Sequence, residues 1–220
     1  VRTVRRAAVA APVLGLALGL VLGTVPQPAA AAPRLSPTVS GVTRADLGAS
    51  HRPGCPVPPE DLRLIRMNHW GFDGRVHRGG LVVHEDAVRP VLRIFGAAFD
   101  DRFPIRRMET MAAFEGSDAR AMAADNTSAF NCRRVTGDDR HLSRHSYGDA
   151  VDVNPRENPY VDRSGEVHPP GTEAALDRDP PAPGMLTDGD AITGAIEDAG
   201  WTWGGHWSPP DYQHFSADGT

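Results

Sequence analysis

The chain has 220 residues, a length that fits one domain with appendages. Its formal charge is −5, and all 23 of its basic residues are Arg. That balance excludes the basic footprint on which nucleic-acid binding depends.

Arg2, Arg5 and Arg6 precede an apolar run from Ala7 to Val25, which closes in the small-residue tract Pro28 to Ala32. Residues 1–32 read as a secretory signal peptide, cleaved near Ala31 or Ala32. Pro12, several Gly and the lack of a basic stop argue against the rival reading, a membrane anchor. Cleavage removes three Arg and no acid, so the charge moves from −5 to −8. The exported product is then expected to be an extracellular monomer with no membrane segment. Two cysteines in such a compartment, Cys55 and Cys132, predict a disulfide. Neither has a second thiol nearby to make a metal-binding pair.

Residues 33–54 are polar, dotted with Pro and Gly and without periodicity, and read as a linker to a domain over 55–220. Pro58 to Asp61 predicts the start of a short helix from Leu62 to Met67, with acids at its positive end. Asp73-Gly74 marks a turn. Leu81-Val82-Val83 predicts a buried strand, and Glu85 to Phe99 a helix packed on it through Val88, Leu92 and Phe95. Phe103-Pro104-Ile105 begins an extended piece, with Met108 and Met111 as core filler. Asn126 to Arg133 reads as a strand. Residues 155–190 are rich in Pro, Asp and Gly and predict a long loop that walls a cleft. Asp188 to Ala199 reads as a helix ended by Gly200, and a last strand runs through Tyr212 to Phe215. Short strands mixed with a few helices imply α+β with a small antiparallel sheet.

The chemistry concentrates in Ser143 to Pro155, SRHSYGDAVDVNP, and in the later cluster Asp211-Tyr212-Gln213-His214-Phe215. His145 and Asp152 are too far apart in sequence for one helical face, where ligands sit three or four apart. They suit a loop His followed by a strand Asp. Alternation over Ala150 to Asn154 sends Val151 and Val153 one way and Asp152 the other. With His214 they make two imidazoles and one carboxylate, the ligand set of a zinc site with an open fourth position. Asp211 remains to handle protons. On a regular strand Asp211 and His214 would point to opposite faces, so Pro209-Pro210 predicts a bend there. The other seven His are read as surface or core residues; His206, in the Trp cluster, is expected to face solvent.

Three patterns in this order, S-x-H-x-x-G-x-A-x-D at Ser143 to Asp152, W-x-W-G-G-x-W at Trp201 to Trp207 and D-Y-Q-H-F at Asp211 to Phe215, resemble the D-alanyl-D-alanine carboxypeptidase and L-alanyl-D-glutamate endopeptidase family. The resemblance extends over Cys55 to Phe215 and is to its secreted branch. It implies the fold shared with the hedgehog signalling domain, Zn2+ on His145, Asp152 and His214, and Asp211 as catalytic base. It also implies an Arg holding a substrate oxygen, matched best by Arg133, with Arg134 as rival. Gly80 departs from the family's G-E-L-V-V pattern, outside the metal motifs. The function implied is hydrolysis of peptidoglycan stem peptides at the cell wall. The alternative is a non-catalytic zinc-containing module that binds a partner there, against which the retained Asp211 argues.

Overall fold

The computed structural model describes residues 32–136 and 138–219. The expected signal peptide lies outside them, apart from Ala32. Among the described residues no helix is long and apolar enough to cross a membrane.

Folding begins earlier than the sequence predicts. The expected linker, residues 33–54, is part of the folded unit, which runs from Pro33. Strand β1 (Thr38–Gly41) pairs antiparallel with β2 (Leu62–Trp70), and the short helix α1 (Arg44–Leu47), capped by Thr43, seats Leu47 in a buried cluster. All four β1 residues are exposed. Main-chain hydrogen bonds hold this edge strand, so its sequence shows no apolar alternation.

A second correction concerns Leu62 to Met67, which is the first half of β2 rather than a helix. Pro59–Asp61 makes only a 3-10 turn. β2 pairs along its whole length with β3 (Val76–His84), and Gly74 takes φ +69° in the turn between them. Both faces of this hairpin are covered. Leu62, Leu64 and Val82 pack with Phe130 and Cys132, whereas Ile65, Met67, Leu81 and Val83 enter the main core. Burial on both faces erases the period of two by which a half-buried strand is recognised.

Helix α2 (Val88–Asp100) follows a 3-10 turn at Glu85–Ala87 and buries Val91, Ile94, Phe95 and Ala98 in the main core. Met108 and Met111 are buried as expected. Strand β4 (Arg107–Met108) runs parallel to β5 (Asn126–Thr127), with α3 (Asp118–Ala123) between them in sequence. The predicted strand Asn126 to Arg133 is regular only over β5. Beyond it, single hydrogen bonds tie Phe130 N–H to the Val82 carbonyl and Asn131 N–H to the His145 carbonyl, so this segment stitches the β3 sheet to the Ser143–Pro155 stretch.

The C-terminal half adds a hairpin of β6 (Arg134–Val135) and β7 (Asp138–Leu142), then β8 (Ala150–Asp152). A small hairpin of β9 (Tyr160–Val161) and β10 (Val167–His168) stands in the long loop. Helix α4 (Ala191–Asp198), capped by Asp190, buries Ile192 and Ile196. β11 (Thr202–Trp203) and β12 (His214–Ser216) complete a second antiparallel sheet ordered β11-β12-β8. The chain is α+β with small antiparallel sheets and few helices.

Cys55 and Cys132 are joined as a disulfide across a sequence separation of 77. In the chain-entropy account, opening a loop of that size costs on the order of 4 kcal/mol. Cys132→Ser should therefore lower the denaturant midpoint strongly and raise the m-value, because the unfolded chain without its cross-link exposes more surface. Non-reducing peptide mapping of the parent protein should recover a linked Cys55–Cys132 peptide; two alkylatable thiols would contradict it.

Candidate metal centre

Asp152 ends β8 directly opposite His214 of β12. Val151 and Val153 enter the main core, and Asp152 projects to the other face. His145 comes from the 3-10 turn Arg144–Tyr147, which ends at Gly148 with φ +74°. A Cβ on Gly148 would stand 2.6 Å from the His84 backbone nitrogen, and the Gly148 carbonyl accepts that N–H at 2.8 Å. Only glycine allows the segment that carries His145 and Asp152 to press so closely onto β3.

The three side chains meet. His145 Nε2 lies 3.1 Å from Asp152 Oδ2, His214 Nδ1 lies 3.0 Å from Asp152 Oδ1, and the two ring nitrogens are 3.2 Å apart. All three residues are buried. His145 Nδ1 is 2.7 Å from the Ala129 carbonyl oxygen, which can only accept. Nδ1 therefore carries the proton, and Nε2 turns its lone pair towards the other two donors. Burial alone would raise the Asp152 carboxyl. When the imidazoles are protonated, His145, by charge and hydrogen bond, and then His214 outweigh it and hold that group below the usual carboxylate range.

This donor set fits a divalent metal. Ligands about 2.0–2.2 Å from a tetrahedral ion stand roughly 3.3–3.5 Å apart, close to the separations found here. Two imidazoles and one carboxylate leave a fourth position, and all three residues line a cleft of about 570 Å³.

Asp211 lines the same cleft. The predicted bend is present: Asp211 bridges to Tyr160, and β12 starts at His214, two residues later than expected. Asp211 and His214 thus escape the opposite-face rule of a continuous strand. Asp211 Oδ1 is buried without a hydrogen-bond partner. Burial pushes its carboxyl up to about 7; His214 opposes the rise, Asp152 adds to it, and His145 and Arg133 oppose it.

Of the two candidate arginines, Arg133 lines the cleft, whereas Arg134 is exposed and donates to the Arg140 carbonyl at 2.9 Å. The long loop walls the cleft through Tyr160 to Ser164. Tyr160 was not legible in the sequence as a cleft residue; its ring stacks on His168 at 4.6 Å, and its hydroxyl is buried. The tryptophans divide. Trp201 and Trp203 are core, and Trp207 lines the cleft 5.5 Å from the His214 ring. His206 is exposed and pairs with Asp188 at 3.0 Å, and Asp149 turns away from the metal set to pair with Arg144.

Residues 136–217 match the family model described as D-alanyl-D-alanine carboxypeptidase. The matched span contains His145, Asp152, Asp211 and His214 and ends short of Arg133 on its N-terminal side. No curated protein matches the chain, and no solved structure does.

Proposed function

We propose that this chain is a zinc peptidase of the D-alanyl-D-alanine carboxypeptidase or L-alanyl-D-glutamate endopeptidase type, acting on peptidoglycan stem peptides outside the cell. One observation carries the reading: His145, Asp152 and His214 converge in a cleft beside a buried carboxylate, Asp211, that has an unpartnered oxygen. The family match over the same residues supports it. The disulfide and the expected signal peptide support an extracellular site of action.

Zinc held by His145, Asp152 and His214 would supply Lewis acidity and an ionisable water. The other steps fall to the chain. Asp211 takes the proton of the attacking water and returns it to the leaving amine. Arg133 brings positive charge to the side of the cleft where the scissile carbonyl oxygen becomes an oxyanion. Trp207 and the β9–β10 hairpin narrow the cleft and keep bulk water from the reacting bond.

The other reading, a zinc module that only binds, has no use for Asp211. A closed structural site fills its fourth position and needs no base, and an unpaired buried carboxylate costs stability. The two separate in one experiment. Purified stem peptides incubated with the zinc-loaded protein should release D-alanine, or L-alanine if the L-Ala–D-Glu bond is the one cut, and a chelator should stop release. Bound zinc without any product would favour the binding module.

A further inference from the structure

Arg133 is held at both ends. Its backbone N–H donates to Ser146 Oγ at 3.0 Å, and its carbonyl accepts from the same hydroxyl at 2.9 Å and from Ser143 N–H at 2.9 Å. Those serines flank the metal ligand His145, so the main chain of Arg133 is tied to the metal stretch. Its guanidinium is fixed elsewhere. One terminal nitrogen lies 2.8 Å from Asp118 Oδ2, and the other donates to the Arg134 carbonyl at 3.2 Å. The two charged side chains are only 18% and 15% exposed. Arg133 Nε–H is buried with no partner.

The geometry points to Asp118, at the start of α3, as the positioning residue that aims Arg133 into the cleft. This rests on the peptidase reading above. Asp118 does not line the cleft itself, but Arg133, with which it pairs, does. A free Arg side chain has high rotamer entropy, which a group ordered only on substrate binding must lose at each turnover. Asp118 and the Arg134 carbonyl order it in advance, the condition under which a charge stabilises a transition state without reorganisation. Two of the five guanidinium N–H groups are committed to these partners. The remaining terminal N–H groups are left to meet an oxygen of the substrate.

A purely structural ion pair makes a different prediction, and a mutant cycle separates the two. The probe is a synthetic stem pentapeptide, L-Ala-γ-D-Glu-L-Lys-D-Ala-D-Ala, which holds both candidate bonds. A phosphinate isostere of whichever bond the parent enzyme cuts serves as the binding probe. Asp118→Asn should lower kcat about tenfold and weaken the phosphinate by a similar factor, with KM within twofold and zinc content unchanged. Asp118→Glu should recover part of the loss. In an Arg133→Gln background, Asp118→Asn should cause no further loss of turnover or of phosphinate affinity. The inference is overturned if Asp118→Asn lowers only thermal stability. It is equally overturned if its effect persists undiminished once Arg133 is gone. A parent enzyme that cuts neither bond removes the peptidase reading and this inference with it, whereas normal cleavage by the Asp118 variants removes the inference alone.

Discussion

Asp211→Asn should keep its zinc and lose between about 10²- and 10⁴-fold in kcat, the range associated with removing a general base. Asn has nearly the same shape, so the bend between Asp211 and His214 should persist. The main-chain contacts of Asp211, its bridge to Tyr160 and its N–H to the Gly204 carbonyl at 2.9 Å, do not involve the side chain. Nor is its carboxylate one of the three clustered donors, so metal affinity should barely change. What is lost is an oxygen able to take up a proton. The buried, unpartnered Oδ1 is a cost to folding in the parent protein, so the variant should be as stable or more so. Metal analysis, thermal unfolding and turnover on the pentapeptide check the three parts. Turnover within threefold of the parent would remove Asp211 as the base.

His145→Ala should abolish stoichiometric zinc binding and turnover together. The substitution removes one donor of three. It also orphans the buried Ala129 carbonyl, now bonded to His145 Nδ1, and an unpaired buried acceptor costs roughly 1–3 kcal/mol. The variant should therefore be less stable even without metal. Zinc should raise the melting temperature of the parent protein, since it binds the folded state alone, and should leave that of the variant unmoved. Equilibrium dialysis and thermal scans with and without zinc read this directly. A variant that still holds one tightly bound zinc per chain would show that His145 is not a ligand.

The site was more legible than the fold, and the reasons are physical. His145, Asp152, Asp211 and His214 are chemically distinctive residues in short local patterns, and local patterns survive in a linear reading. The alternation Val151-Asp152-Val153 correctly sorted core from cleft, because β8 has one face in the core and the other in the site. The proline pair before Asp211 correctly announced a bend. The same style of reading failed at Leu62 to Met67, where two hydrophobic clusters cover opposite faces of one strand. It failed again at Thr38 to Gly41, where an exposed edge strand is held by its backbone. Asp118 was invisible for another reason. An acid in the first turn of a helix is ordinary, and its partner Arg133 lies fifteen residues on, across the rest of α3, a turn and a short strand.

By itself the sequence determined the kinds of atoms available: two imidazoles, two carboxylates and a pair of thiols. Each follows from residue type and near-neighbour spacing, which are properties of a string. Only the tertiary structure decided which atoms share a point, which of two adjacent arginines enters the cleft, and that Asp118 holds it there. Those are distances between segments far apart in the chain. They are set by the pairing of β8 with β12, by the contact of Gly148 with β3 and by the packing of α3, none of which a linear pattern encodes.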